Sequence, residues 1–132
     1  MNRVVRKYSF SENVIGLEIE APRIAKARKA GHFVMLRVDE VGERIPLTIS
    51  SADQKAGTIT LVVQKVGVSS GKLTALEPGE YVHDLVGPLG HATEVKYYGT
   101  VMCCGGGVGV APLLPIVEAM KAAGNRVVSV IA

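Results

Sequence analysis

One segment, residues 100–131, constrains the fold most, because it has the order strand, glycine-rich turn, helix and strand. Thr100–Cys104 is an apolar run of strand length, and Gly105–Gly109 follows it without a spacer. Further along, apolar side chains recur at the spacing of one helix face, at Leu113, Ile116, Val117 and Met120. The segment therefore predicts one β–α–β unit, in which the two strands run parallel.

The limits of this unit are marked by residues with known boundary preferences. Pro112 suits the first turn of the helix, where no backbone N–H is needed, and Gly124 favours its carboxyl end. Arg126–Ile131 is typical of a buried second strand. Cys103 and Cys104 point to opposite faces of a strand, which disfavours a shared metal. We expect both cysteines to be buried as small hydrophobic side chains.

The glycine-rich turn lies where a dinucleotide phosphate site is expected. Glycine lets the backbone approach a pyrophosphate, and the start of the next helix presents unpaired N–H groups and a positive dipole end. The pattern is G-x-G-x-x-P rather than G-x-G-x-x-G. A tight structural turn without a ligand is the alternative. The predicted binding residues are Gly106, Gly107, Val108, Gly109, Ala111 and Pro112.

Residues 1–97 have a different pattern, with short strands separated by turns. Three such strands are Val14–Ile19, Phe33–Val38 and Thr58–Gln64. Ser70–Leu76 is expected to form one brief helix with a serine cap. Many short strands at this spacing favour a small sandwich or barrel. The predicted fold class is β plus α/β, with a β-barrel over 1–97 and the first β–α–β unit of a Rossmann-like domain over 98–132.

Composition and charge exclude several classes of partner. The net charge of +3 is spread along the chain and interleaved with acidic residues, so nucleic acid is not an expected partner. No run reaches the roughly 18 apolar residues that span a membrane, and the first residues lack the apolar core of a secretory signal. We expect a cytoplasmic location without membrane association.

Glu43–Ser51 is the most informative segment of the first half. It combines one cation, a proline-restricted backbone and a run of hydroxyl groups, and the fork of donors on an arginine suits phosphate oxygens. A charged turn leading into an edge strand is the alternative. The predicted binding residues are Arg44, Pro46, Leu47, Thr48, Ile49 and Ser50.

A second polar segment, Val66–Leu73, places glycine and serine at a predicted helix start. Such a start can hold an anion, which makes Gly67, Ser69 and Ser70 candidate ligands, and plain helix capping is the alternative. A third segment, Val86–Gly90, is a tight turn just before the pattern changes.

The motifs and their order resemble the ferredoxin–NADP reductase superfamily. The order is an arginine segment for flavin, a glycine and serine helix start, the Gly87–Gly90 turn and a glycine-rich nicotinamide loop. Within the superfamily, Glu43–Ile49 is similar to a narrower group. That group holds the alpha subunit of NADH-dependent ferredoxin–NADP oxidoreductase (sulfide dehydrogenase) and the electron-transfer subunit of dihydroorotate dehydrogenase. The resemblance implies an antiparallel Greek-key barrel for FAD, followed by a parallel α/β domain for NAD(P)H.

The resemblance also implies roles for single residues. Thr48 matches the hydroxyl residue near flavin N5, and Leu47 matches the residue packed on the isoalloxazine ring. Arg44 would bind phosphate, although it lies one position before the family's arginine, where Ile45 stands here. The segment that binds the flavin pyrophosphate is matched by Gly67, Ser69 and Ser70. The nicotinamide pyrophosphate loop is matched by Gly106, Gly107, Gly109 and Pro112.

The implied function is that of an FAD-binding oxidoreductase or electron-transfer subunit. Hydride would pass from NAD(P)H to FAD, and single electrons would pass on to a ferredoxin or to an iron–sulfur or flavoprotein partner subunit. Family members are longer, and the cysteines of a [2Fe–2S] cluster would lie beyond Ala132, because such a cluster needs four thiolates and this chain has two cysteines. We therefore expect a truncated chain without turnover on its own.

Two alternatives to this function stay open. One is the electron-transfer subunit of dihydroorotate dehydrogenase, whose partner would be the catalytic flavoprotein of pyrimidine synthesis. The other is a flavin-binding module that no longer transfers electrons. No acid–base motif is visible, because His32, His83 and His91 are scattered, so the sequence predicts no catalytic side chain and no metal ligand.

Overall fold

The computed structural model describes all residues, 1–132. Its strands are β1 Asn2–Ser9, β2 Val14–Glu20, β3 Phe33–Arg37, β4 Ile45–Asp53, β5 Thr58–Gln64, β6 Tyr81–Val82, β7 Asp84–Leu89, β8 Thr100–Gly105 and β9 Arg126–Ile131. Its helices are α1 Pro22–Ala27, α2 Val68–Thr74 and α3 Val110–Ala122. None of the three helices has both the length and the apolar character needed to cross a membrane.

Strands β1 to β7 form one antiparallel sheet in the order β6-β1-β2-β5-β4-β3-β7. The outer strands of this order, β6 and β7, are consecutive in the chain and separated only by His83. The N–H of His83 donates to the carbonyl groups of Arg37 and Val38. Chain continuity thus joins the two edges, and the sheet curls into a nearly closed barrel, which confirms the predicted fold class.

The barrel interior is filled by alternate side chains of its strands. Leu61 of β5 pairs with Leu17 of β2 on one side and with Ile49 of β4 on the other. All three side chains are at most 1% exposed. Helices α1 and α2 contribute Ile24 and Leu73 to the same core. The two short helices therefore cover the barrel rather than form a separate layer.

Helix α2 begins at Val68, two residues before the predicted helix. The reason is the position of Ser70, whose Oγ accepts hydrogen bonds from the N–H groups of Val66 and Gly67, both at 2.9 Å. Ser70 therefore lies inside the first turn of α2, and its side chain binds the backbone N–H groups just before the helix. The residue at the N-cap position is Gly67, not Ser70.

Strands β8 and β9 form a separate parallel pair, with α3 connecting them, which confirms the predicted β–α–β unit. The expected burial of β9 is wrong, since Val128 and Val130 are 36% and 52% exposed. Helix α3 covers one face of the pair, and no layer covers the other. For the same reason Cys103 is buried and Cys104 is exposed, so the expectation of two buried cysteines is wrong for Cys104.

A single buried amide fastens the connection between the barrel and the β–α–β unit. The Oδ1 atom of Asn125 accepts hydrogen bonds from the N–H groups of Tyr98 and Gly99, at 2.6 and 3.0 Å. Its Nδ2 donates to the carbonyl oxygens of Lys96 and Met120, at 2.9 and 3.0 Å. The path of residues 96–99 is therefore tied to the turn that follows α3.

Replacing Asn125 should destabilise the protein. Asn125→Ala removes four hydrogen bonds between this side chain and the backbone, so the free energy of unfolding should fall by about 2–6 kcal/mol, at roughly 0.5–1.5 kcal/mol for each bond. Urea denaturation followed by circular dichroism measures this change. Asn13→Ala, at an exposed asparagine whose side chain makes no hydrogen bond, is the control and should stay within about 0.5 kcal/mol. Equal losses in both variants would show that Asn125 does not hold the connection.

Candidate functional site

The largest cavity of the structure, about 850 Å³, lies where the barrel meets the β–α–β unit. Its wall is formed by the turn between β3 and β4, the start of β4, the end of β5 with the start of α2, and the start of α3. Contacts between α3 and β4 hold these elements together. The volume is in the range of about 300–1,000 Å³ that is typical of small-molecule sites.

Strand β4 supplies the part of the wall predicted from Glu43–Ser51. Of the residues predicted to bind a cofactor in this segment, Pro46, Leu47 and Thr48 line the cavity. Ile49 and Ser50 do not line it, because they are 1% and 5% exposed and turn inward. The pairing of β4 with β5 shifts register just after Ile49. The strand therefore changes at this point from cavity wall to barrel core.

The candidate ligands at the start of α2, Gly67, Ser69 and Ser70, all line the cavity. The hydroxyl group of Ser70 is already used, because it accepts from two backbone N–H groups and donates to the carbonyl of Gly67 at 3.2 Å. The hydroxyl of Ser69 makes no hydrogen bond within the chain. Of the two serines, Ser69 is therefore the one with a group available to a ligand.

The glycine-rich turn is only partly on the cavity wall. Residues 107–109 form a single 3-10 turn that leads into α3, and the residues that line the cavity are Val108, Gly109, Ala111 and Pro112. Gly106 and Gly107 do not line it. The N–H of Gly107 instead donates to the carbonyl of Ala132 at 3.0 Å. Its φ of +56° is a conformation that glycine adopts readily.

Two glycines of the wall leave open space for a ligand. A Cβ atom added to Gly67 or Gly109 would meet nothing within 4 Å. Their φ angles are −164° and −64°, which other residues adopt as well. Neither the backbone conformation nor packing within the chain accounts for glycine at these positions. A phosphate group that approaches the backbone closely would account for it, so the wall fits a dinucleotide.

The predicted phosphate ligand Arg44 does not line the cavity. Its Nη2 lies 3.4 Å from Oδ2 of Asp84, and Nη2 of Arg37 lies 2.6 Å from the same oxygen. The hydrogen bond from Arg37 holds the pKa of Asp84 below its ordinary value, and the charges of Arg37, His83 and Arg44 act in the same direction. The structure therefore places Arg44 in a surface ion-pair cluster beside the site.

Lys72 and Gln64 line the cavity and were missed by the sequence reasoning. The Nζ of Lys72 lies 3.0 Å from Oδ2 of Asp39, and this hydrogen bond lowers the pKa of Asp39. Lys72 directly follows the glycine and serine segment in the sequence, and this position could have marked it as a candidate site residue. Nothing in its local pattern shows, however, which way a lysine on a short helix points.

Exposed valines surround the mouth of the cavity. Val41, Val66 and Val68 are 89%, 77% and 78% exposed, and all three line the wall. Clustered apolar side chains that face solvent indicate a binding surface. Flat ring systems of a ligand would remove this apolar surface from water.

The structure combines an antiparallel barrel with a β–α–β unit and has a cleft of about 850 Å³ at their seam, the arrangement expected of a flavin-binding oxidoreductase domain. The sequence profile of the oxidoreductase FAD-binding domain family matches residues 2–94. The chain belongs to this family, as the sequence resemblance predicted.

The chain is also similar to curated proteins that are named as electron transfer subunits. The chain is 40% identical over 131 residues, 99% of its length, to the dihydroorotate dehydrogenase B (NAD(+)) electron transfer subunit homolog of Thermotoga maritima, of which it covers 46%. It is 31% identical to the corresponding electron transfer subunit of Geobacillus thermodenitrificans, with 97% of this chain and 52% of the relative aligned. The chain thus spans about half the length of these curated relatives.

Solved structures agree with the fold. An NADH-dependent reduced ferredoxin–NADP oxidoreductase, studied for flavin-based electron bifurcation, matches with a TM-score of 0.97 and 40% identity, over 99% of this chain and 48% of that chain. Phthalate dioxygenase reductase matches with a TM-score of 0.79 at 17% identity, over 99% of this chain and 42% of that one. The second likeness concerns the fold alone.

A methyl group at Gly67 should fill ligand space without harming the fold. Gly67→Ala should leave the free energy of unfolding within about 0.5 kcal/mol. It should weaken FAD binding about tenfold or more, since overpacking typically costs roughly 1–3 kcal/mol. The control is Gly71→Ala, which lies within α2 but off the cavity wall and should keep FAD affinity. Equal affinities in the two variants would show that Gly67 does not face the ligand.

The ion-pair cluster at Asp84 should contribute to stability in a pH-dependent way. Because the folded pKa of Asp84 lies below its ordinary value of 3.8, the stabilisation is present above that value and is lost as pH falls through the folded pKa. Asp84→Asn should therefore be less stable than the wild type at pH 7, by an amount that shrinks under acid conditions. Urea titrations at a series of pH values measure the difference. A difference that does not change with pH would contradict this account.

Proposed function

We propose that the chain is the FAD-binding part of an electron-transfer subunit, and that FAD occupies the cavity between the barrel and the β–α–β unit. The observation that carries the proposal is the composition of the cavity wall. Three segments that the sequence marks as cofactor motifs, at β4, α2 and α3, meet in one cleft, within a chain that belongs to an FAD-binding family. The relatives named as electron-transfer subunits support the role.

The residues of the wall suit the parts of FAD. Pro46 and Leu47 offer apolar surface to a ring system, and the hydroxyl of Thr48 can hydrogen-bond to a heterocycle edge. Gly67 leaves open space for a phosphate, and Ser69 offers a hydroxyl that has no other partner. FAD supplies the redox chemistry when bound, while these residues bind it and exclude water from its ring.

The proposal also includes a nicotinamide dinucleotide as second cofactor and a partner that accepts electrons. Val108–Pro112 adjoins the flavin segments on the same wall, an arrangement that would bring a nicotinamide dinucleotide next to FAD. The partner would be a ferredoxin, or an iron–sulfur or flavoprotein subunit. The match at 40% identity to an NADH-dependent reduced ferredoxin–NADP oxidoreductase supports this type of acceptor, and the names of the curated relatives support a dihydroorotate dehydrogenase complex as the second candidate.

From the sequence we further propose that residues 1–97 form the FAD-binding barrel and that 98–132 begin a nicotinamide-binding domain. We also propose that the protein lies in the cytoplasm. Any [2Fe–2S] cluster and complete NAD(P)H turnover would require residues beyond this chain.

The test is uptake of FAD by the purified chain. Titration should give one FAD per chain, with a red-shifted and structured flavin absorbance band and quenched fluorescence, because the ring moves from water to an apolar wall. Thr48→Val removes one hydroxyl at nearly constant shape and should weaken FAD binding about 2- to 12-fold, since a neutral hydrogen bond contributes about 0.5–1.5 kcal/mol. Thr100→Val, outside the cavity wall, is the matched control. A chain that takes up no FAD would refute the proposed function.

A further inference from the structure

We infer that Lys72, and not Arg44, is the cation that binds the diphosphate of FAD, and that Asp39 holds Lys72 in place until the ligand arrives. The inference rests on the proposed function, because it assigns a residue to the same cavity. It differs from the sequence prediction, which places the phosphate on Arg44.

The cavity wall contains one cationic side chain, that of Lys72. It also contains one anionic side chain, Glu43. A diphosphate carries two negative charges and is bound in proteins by cationic side chains together with N–H and hydroxyl donors. Among the side chains that line the site, Lys72 is therefore the one that can balance this charge.

The geometry of α2 places a second donor beside Lys72. Ser69 and Lys72 are three residues apart on one helix, so their side chains share a face, and both line the cavity. The hydroxyl of Ser69 has no partner within the chain, whereas that of Ser70 is occupied by the backbone of residues 66 and 67. A lysine and an unpaired hydroxyl on one helix face form a pair of donors for phosphate oxygens.

Asp39 can release Lys72 at little cost. Their ion pair spans 3.0 Å, and the two side chains are 41% and 44% exposed. Solvent screens a pair of this kind, so it contributes little to stability. A doubly charged diphosphate inside the cavity can therefore replace the single carboxylate of Asp39, which lies outside the wall.

Arg44 is less suited to this task. It lies outside the cavity wall, and its guanidinium group shares the Asp84 carboxylate with Arg37. Binding a phosphate in the cavity would require Arg44 to leave Asp84 and reorient. Lys72 already lies at the wall.

The experiment compares affinities for FAD and for riboflavin, which lacks phosphate, by fluorescence titration. Lys72→Met keeps most of the apolar stem and should weaken FAD binding about tenfold or more, the range for a charged hydrogen bond, while riboflavin affinity stays the same. Lys72→Arg, which keeps the charge, should retain FAD affinity within about threefold. Wild-type FAD affinity should fall with added salt more steeply than that of Lys72→Met.

Three variants serve as controls. Lys65→Met removes an exposed lysine near the same helix but off the wall, and it should change FAD affinity less than about twofold, as expected for a screened surface charge. Arg44→Ala should likewise keep FAD affinity. Asp39→Asn removes the resting partner of Lys72 and should not weaken FAD binding.

The outcomes separate this inference from the proposed function. Normal FAD binding by the wild type, with a loss in Arg44→Ala and none in Lys72→Met, would overturn the assignment of Lys72 and leave the proposed function intact. Equal losses for FAD and riboflavin in Lys72→Met would show a structural role and would also overturn it. Absence of FAD binding by the wild type would refute the proposed function and, with it, this assignment.

Discussion

The closing of the barrel by β6 and β7 is the constraint on which the rest of the structure depends. These strands are the two edges of one sheet, yet His83 alone separates them in the chain. Strand β6 pairs with β1, the first strand of the chain, and β7 pairs with β3. The short connection between β6 and β7 therefore holds β1 and β3 close to each other. The core around Leu61 then packs inside a nearly closed wall, which leaves little free sheet edge.

The candidate site lies at the seam between this barrel and the β–α–β unit. Strand β4 is held on both sides by β3 and β5, so Thr48 has a rigid support. The start of α3 belongs to the other part of the chain, and Asn125 ties the connection to it. Because both parts supply cavity wall, the geometry of the site depends on how firmly they are joined. The segments that the sequence predicts to bind two different cofactors therefore line one cleft.

The charges around the site form two ion-pair groups with different relations to the cavity. Asp84 gathers Arg37 and Arg44 beside the barrel, outside the cavity wall. Asp39 holds Lys72 at the wall itself. Exposed ion pairs contribute little to stability individually, so the main effect of these pairs is to position the cationic side chains. They determine which cation faces the cleft.

Local sequence patterns were enough to predict the local units of the fold. Helical periodicity from Leu113 to Met120 and the glycines before it were sufficient to predict the β–α–β unit, because they depend on near neighbours in the chain. The segments at β4, α2 and α3 were predicted to bind cofactors from local patterns of the same kind, and the structure brings most of their residues into one cavity.

Which residues face that cavity depends on packing between distant parts of the chain. Ile49 turns into the core, Arg44 lies outside the wall, and Lys72 lines it. The tertiary structure also leaves β9 and Cys104 exposed, since burial depends on whether a second layer covers a face. Strand order, register shifts and side-chain direction arise from contacts between residues far apart in the chain, and such contacts leave no local pattern in the sequence.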